Sequence, residues 1–424
     1  MRKRYLALVT LMVMLASMVL PCAAMAEGRD GYMFYAPVGT KIHDSDLVLP
    51  LEYRVSDKGC GSGNSSLFYY TDHPVWDVAW DENKIVTSGE YTYYLLDDGT
   101  IALIAMDQTY QAKKVVVPQT IDGYTVTRLG LDRNVAVMKV TYQNATDRNY
   151  WNNMDCYLLF GKNVEEVVLP ESVKVIGYKA LSTDTFSYVS KLTAPGVTEI
   201  GGAPFATVSY KLPANIEKIG MFAFGQADMK GEKNQLKLPD TLVEIGACAF
   251  MDSPLKSVTI PGSVQVIGPY AFAFSDWRLQ TVTLKNGVPY ISDGMFMDCK
   301  KLKQISLPES IASVGAYAFE NCEKLSKVTF AKKAQVASIG EGAFRGCAAL
   351  KSVAIPEGVT EIGDVAFFDC SALSAVTLPD SLTSIGAHAF DGVSSKVKFT
   401  VVDGSYAHKW ATDNGFATKV QKRK

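Results

Sequence analysis

The sequence predicts a mainly β repeat solenoid, and three observations predict it. The first is a period. Residues 239–250 read PDTLVEIGACAF, and the pattern returns as PGSVQVIGPYAF (261–272), PESIASVGAYAF (308–319), PEGVTEIGDVAF (356–367) and PDSLTSIGAHAF (379–390). Phe250, Phe272, Phe296, Phe319, Phe344, Phe367 and Phe390 lie 22 to 25 residues apart, an interval typical of stacked coils. The second is punctuation inside the period. A proline is followed seven residues later by glycine at Pro170/Gly177, Pro213/Gly220, Pro239/Gly246, Pro261/Gly268, Pro308/Gly315, Pro356/Gly363 and Pro379/Gly386. The third is that both ends depart from the repeat, as the capping units of a solenoid must.

Taken in chain order, residues 1–26 read as a secretory signal peptide. Arg2, Lys3 and Arg4 precede an apolar run of 15 residues, 6–20, then Pro21 and the small-x-small sequence Ala24-Met25-Ala26. The run is short for a membrane span. Cys22 raises a lipoprotein alternative, which Pro21 disfavours because a small residue is needed before such a cysteine. Cleavage removes three basic residues and no acidic ones, taking the formal charge from −2 to −5. That balance gives no electrostatic footprint for nucleic acid, and no second long apolar stretch predicts a membrane span. The basic C-terminus, 419–424, is expected to be a short tail.

Residues 27–90 do not share the repeat and are expected to form a small β-rich module or an extension of the cap. Residues 91–163 should form the N-terminal β cap and a first degenerate coil. Leu96-Asp97-Asp98-Gly99-Thr100 signals a hairpin, Val115-Val116-Val117-Pro118 opens the first coil, and Ile121-Asp122-Gly123-Tyr124 marks a turn.

Residues 164–398 form the solenoid proper, with enlarged loops near 227–235. The whole stack holds about ten coils of 22–25 residues and, at roughly 4.8 Å per coil, spans near 50 Å. In the coil that begins at Leu350, residues 352–355 alternate out and in and should be a strand, which Pro356 ends because it cannot donate to a ladder. Gly363 is expected to permit a backbone turn. A second short extended piece and an irregular return stacked on phenylalanine complete the coil. Residues 399–424 are the C-terminal cap and tail, with 404–411 forming a short amphipathic helix whose apolar side covers the last coil.

Cys299, Cys322, Cys347 and Cys370 each lie three residues after a repeat phenylalanine, where other coils carry Ser253, Ser275 and Val393. The position selects a small side chain, and the expectation is a column of buried thiols. Rungs about 5 Å apart are within disulfide reach, so distance does not exclude pairing. A zinc site is disfavoured, because a column of ligands without histidine makes no tetrahedron.

The opening V-V-P-x-T-I-D-G-Y-x-V-T-x-L-G (116–130), the I-G-x-x-A-F units and the closing GSYAHKWATDNGF (404–416) together resemble the BspA-like leucine-rich repeat family of bacterial surface proteins. The resemblance covers roughly three quarters of the chain. It implies a leucine-rich repeat solenoid and a secreted or surface-attached bacterial protein, some relatives being adhesins for matrix proteins or other cells. It supplies no catalytic motif and does not reach residues 27–90.

Chemistry is sparse. His388 takes a position that is Tyr317 or Val365 in other coils, and His408 sits on the expected cap helix. His43 and His73, with Asp44, Asp46 and Asp72 beside them and Cys60 between, could be imagined as a Cys/His arrangement. Solvated loop residues explain them as well. None of the signatures G-x-S-x-G, H-E-x-x-H, P-loop or EF-hand occurs. No enzyme activity, cofactor or metal is expected.

Binding is the expected activity. One outward column of the strands holds Ser257, Thr281, Gln304, Lys327, Ser352 and Ala375, and the next Thr259, Thr283, Ser306, Thr329, Ala354 and Thr377. This is a hydroxyl-rich face with few charges. Thr259, Thr281, Thr283, Gln304, Ser306, Lys327, Thr329, Ser352 and Thr377 are the candidate partner-binding residues, for a protein or a glycan. Plain strand propensity also explains the threonines. The face lacks the aromatics and Arg of binding hot spots, which leaves Trp277, Tyr290 and Tyr317 as alternative anchors on the turns. A structural or self-associating envelope component is the second reading, and an enzyme with a site in residues 27–90 the third.

Overall fold

The computed structural model describes residues 82–106, 112–130, 164–177, 180–181, 189, 191–201, 212–220, 223–224, 235–275 and 278–423. It also describes the backbone of the strands Tyr32–Tyr35, Thr40–Lys41, Val48–Leu49, Leu51–Val55 and Leu67–Thr71. The signal segment, His43, Cys60, His73 and their neighbouring aspartates, Trp277 and most of the loop near 227–235 lie outside the described residues. The chain divides into two compact units. One comprises residues 1–79 with 144–153, the other 80–143 with 154–424.

In the first unit Tyr32–Tyr35, Leu51–Val55 and Leu67–Thr71 form an antiparallel three-stranded sheet, and Thr40–Lys41 pairs with Val48–Leu49. The strand Ile85–Ser88, by contrast, pairs with Tyr91–Leu95. It belongs to the cap of the second unit, ahead of the boundary at 90 that the sequence suggests.

The second unit opens as an antiparallel cap and turns into a parallel solenoid. Tyr91–Leu95 and Ile101–Met106 pair around the expected hairpin. There Gly99 adopts φ 78° and the Asp98 carboxylate accepts from the Thr100 N–H at 2.9 Å. Asp122 and Gly123 both have positive φ, 51° and 85°, the signature of a tight primed hairpin. This turn joins Thr120–Ile121 to Tyr124–Leu129. Tyr124–Leu129 then pairs parallel with both Ile101–Met106 and Val175–Ile176. From there every ladder of the unit is parallel, because each chain pass returns to the same corner one coil further on.

Each full coil contributes to two ladders. The broad one holds strands of three to five residues, among them Ser257–Ile260, Thr281–Leu284, Gln304–Leu307, Lys327–Phe330, Ser352–Ala354, Ala375–Thr377 and Lys398–Val402. Val258, Val282, Ile305, Val328, Val353 and Val376 point inward and are buried. The narrow ladder holds two-residue rungs such as Val266–Ile267, Ser313–Val314 and Glu361–Ile362. The proline between them closes the corner: its carbonyl accepts the N–H three residues on, as at Pro261/Val264 and Pro308/Ile311, both 3.3 Å. The fold is thus the predicted mainly β solenoid, with about eleven turns where the sequence suggests about ten.

The repeat glycine serves a different purpose from the one expected. No positive φ occurs at Gly340 or Gly363. A Cβ on Gly363 would instead lie 2.5 Å from the Glu341 backbone nitrogen, and one on Gly340 2.6 Å from that of Ala316. The glycine lets neighbouring coils approach. The turning is done elsewhere, by two left-handed residues per coil. Tyr317 and Asn321 (54° and 55°) bracket one A-F pair, and Val365 and Asp369 (49° and 56°) another. These residues hold the return in a register where Phe319 and Asn321 donate to the Ala343 and Arg345 carbonyls of the next coil, both at 2.8 Å.

The core is a ladder of phenylalanines. Phe224, Phe250, Phe272, Phe296, Phe319, Phe344, Phe367 and Phe390 stack with centroids 5.1 to 5.8 Å apart and planes within 19°, inside the attractive range for rings. Beside it Cys299, Cys322, Cys347 and Cys370 are free and buried. Each thiol donates back to a phenylalanine carbonyl of the preceding coil, Cys322 to Phe296 and Cys370 to Phe344 at 3.2 Å.

The C-terminal helix, Tyr406–Asp413, forms as expected. Ser405 caps it by accepting from the His408 N–H at 3.0 Å, and Ala407 and Ala411 are buried. Trp410 lies 5.5 Å from Phe390 and 5.8 Å from Phe399, so the aromatic ladder ends under the helix. The expected tail is corrected here: Ala417–Gln421 is a further parallel strand on Lys398–Val402, and Arg423 forks onto both Asp380 oxygens at 2.7 and 2.9 Å.

Candidate binding face

The broad ladder presents the predicted face. Thr281, Thr283, Gln304, Ser306, Lys327, Thr329 and Ser352 are exposed, and Thr259 and Thr377 are half-buried. Parallel register places like positions side by side: Thr259 beside Thr283, Gln304 beside Lys327, Ser306 beside Thr329, and Thr377 beside Thr400. Residues in one column are about 4.8 Å apart, since that is the spacing of paired strands.

Side-chain hydrogen bonding separates this face from the corners. At the corners hydroxyls are committed to holding coils together. Thr241 donates to the Ile216 carbonyl, and Ser310 and Ser381 donate to those of Val288 and Val359, all at 2.7 Å. Asp293 and Asp364 accept backbone N–H groups of the following coil at 2.7 and 2.8 Å. On the strand face, Thr281, Thr283, Gln304, Ser306, Thr329 and Ser352 make no side-chain hydrogen bond among the described residues. Their donors and acceptors face water.

The two tyrosines among the alternative anchors do not stand out into solvent. Tyr290 is 6% exposed, and its hydroxyl accepts the Ile267 N–H of the preceding coil at 3.1 Å. Tyr317 is 8% exposed and donates to Glu341. Both are packing residues. The sequence could not show this, since a tyrosine in a turn reads the same whether it lies inward or outward.

A second polar cluster, which the sequence reading missed, sits on the return side. Glu320 is 3% exposed, with Arg345 Nη1 3.4 Å from its carboxylate. Burial pushes its pKa up to about 7. Arg345 opposes that rise, and Asp298 adds to it. The Arg345 guanidinium in turn lies 5.7 Å over the Phe368 ring. Glu320, Arg345 and Phe368 occupy one position, immediately after the repeat phenylalanine, in successive coils, with Asp298 one residue further along its own coil. That shared position is the signal by which it could have been found.

Nothing on these surfaces assembles nucleophile, base and orienter. Among the described residues the His388 imidazole pairs with Asp391, at 2.7 Å on the open surface. Burial pushes the Cys370 thiol up to about 12 and Cys347 well above its usual range, so neither supplies thiolate at neutral pH. Among the described residues no group of His, Cys, Asp or Glu could hold a metal ion. No helix there is long and apolar enough to cross a membrane.

Two parallel ladders per coil, an inward phenylalanine column and a solvated strand face define a leucine-rich repeat solenoid. The BspA type leucine rich repeat model matches in six copies over residues 152–277 and 272–397, and the chain belongs to that family. Among solved structures it is similar to a leucine-rich repeat protein of Bacteroides ovatus. The two share 21% identity over 80% of this chain and 100% of the other, with TM-score 0.33. It is also similar to a leucine rich cell surface protein of Faecalibacterium prausnitzii (22% identity, 80% and 99% covered, TM-score 0.36). The pneumococcal vaccine antigen PcpA is a third (15% identity, 80% and 98% covered, TM-score 0.40). None of the curated proteins matches it.

Proposed function

We propose that this is a secreted or cell-surface binding protein, without catalytic chemistry, that holds a protein or glycan of a host or neighbouring cell on the strand face of its solenoid. One observation carries the reading. Exposed hydroxyl and amide groups on adjacent rungs are left without protein partners, whereas those at the corners are used up in joining coils. Hydrogen-bonding capacity fixed on a rigid sheet is what a partner can engage with little loss of side-chain entropy. Family membership and the expected signal peptide at 1–26 support a location outside the cell.

The test is capture of matrix proteins, glycans and bacterial wall by purified residues 27–424, compared with Thr283→Arg/Thr329→Arg. The reading expects saturable binding that the two arginines abolish, because they obstruct one outward column two rungs apart without touching the core. Binding indifferent to them would move the site off the strand face. Retention only by wall material or by the protein itself would favour a structural, self-associating component.

A further inference from the structure

The strand face carries charge of one sign. Lys256, Lys303 and Lys351 stand immediately before Ser257–Ile260, Gln304–Leu307 and Ser352–Ala354, and Lys327 and Lys398 are the first residues of their strands. All five are exposed, and none has an ion-pair partner among the described residues. No acidic residue occurs in these strands or at the position before them from Lys256 to Val402. The face of the first coils is built differently. There Lys114 and Lys191 both pair with Glu166, at 3.1 and 2.9 Å, and Lys113 with Glu165 at 3.3 Å. Lys113, Lys114 and Lys191 are thus neutralised on the strand face, whereas the five lysines at the starts of the later strands are not, in a chain whose net charge is −2.

Resting on the binding reading above, we infer that this lysine stripe binds a linear anionic glycan, with sulfate or carboxylate groups meeting the lysines and sugar hydroxyls meeting the unpartnered Ser, Thr and Gln side chains beside them. Three features choose this partner among polyanions. Lys256, Lys303 and Lys351 recur every second rung, about 10 Å apart, in one register column, and Lys327 stands in the neighbouring column on the rung between Lys303 and Lys351, which matches a chain carrying charge on successive units. No aromatic ring stands outward on these strands, so there is no platform on which nucleic-acid bases could stack. No Tyr, Trp or Arg anchor is present either, and these dominate the energetics of protein interfaces. Lysine ammonium groups on flexible stems, flanked by hydroxyls, suit a hydrated ligand held by many weak charged contacts.

The experiment measures binding of the full chain to heparin, polygalacturonate, neutral dextran, single-stranded oligothymidine and poly-glutamate, at low and high salt. Heparin and polygalacturonate separate the sulfate source from the carboxylate source. Two double variants of equal charge change are compared: Lys303→Glu/Lys351→Glu on the stripe, and Lys332→Glu/Lys333→Glu on the exposed corner beyond the strands. All four side chains are exposed, so folding is expected to be unaffected, and thermal melting checks it. The expected result is binding of at least one anionic glycan that high salt releases, no dextran binding, about ten-fold or greater weakening by the stripe variant and less than about two-fold by the corner variant. Equal weakening by both variants overturns the stripe as the site. Oligothymidine or poly-glutamate binding as tightly as the glycans overturns the ligand class. If neither glycan binds but a matrix protein does, and Thr283→Arg/Thr329→Arg blocks it, the ligand class falls while the face stands. If nothing binds, both fall.

Discussion

Glu320 shows what one side chain contributes to this solenoid. Its carboxyl is buried beside the Arg345 guanidinium and within reach of the Asp298 charge. Burial disfavours the ionised form more than the partly exposed arginine favours it, hence the rise to about 7. The unfolded chain releases this proton near 4.3. Below that value both states are protonated and stability is complete. As pH rises from there through 7 the folded state alone must retain or lose a proton at a cost, and stability falls by an amount on the order of 3 kcal/mol. Glu320→Gln removes the titration while keeping shape. The variant should melt like the parent at pH 4 and above it at pH 8, by several degrees. A lower melting temperature at pH 8 would mean that the Arg345 pair outweighs burial.

Within one coil, most of the element structure is legible in the sequence. Strand alternation, the proline corner, both hairpin turns and the cap helix all depend on residues close in sequence, and each was read at its place. What escaped depends on contacts a full period away. Gly363 is needed because Glu341 of the preceding coil lies against it, which no local pattern encodes. Cys248, Tyr270, Tyr317 and Val365 all adopt the left-handed conformation before their A-F pairs, although none is a residue type that marks it. Closure of the coil imposes it. The later left-handed site, by contrast, holds Asp252, Asp298, Asn321, Gly346, Asp369 or Gly392, with Phe274 the exception; apart from that ring these are residue types that favour the conformation and mark it in the sequence. Ala417–Gln421 escaped because every residue in it is exposed, leaving no alternation to detect. The lysines that border the strand face escape an alternation pattern because three of them precede their strands.

The C-terminal cap allows an element-scale prediction. Trp410 closes the phenylalanine ladder against Phe390, Phe399 and Phe416. Trp410→Ala should cost about 3 kcal/mol, felt first where the cap joins the last coil. Hydrogen exchange should show lost protection across Lys398–Val402, Tyr406–Asp413 and Ala417–Gln421, with Ser257–Ile260 and Thr281–Leu284 unchanged. Uniform loss throughout would mean that the solenoid unfolds as one unit and that the helix is not a local lid.

At the scale of the whole solenoid, stability passes from coil to coil because no coil buries its apolar side alone. The continuous element is the phenylalanine ladder from Phe224 to Phe390, and Phe319 stands within it, 5.5 Å from Phe296 and 5.2 Å from Phe344. Phe319→Ala removes both ring contacts and leaves a cavity, a loss of about 3 to 5 kcal/mol. In a protein folded around one shared core such a loss lowers the unfolding midpoint and leaves the slope unchanged. In a one-dimensional stack it weakens the coupling between two arms, each of which keeps its own neighbours. Urea unfolding of Phe319→Ala should therefore show a shallower slope or two transitions, the cap and early coils on one side and the helix-capped coils on the other. A parallel shift at constant slope would show that the two ladders of backbone hydrogen bonds, rather than the stacked rings, carry cooperativity along the molecule.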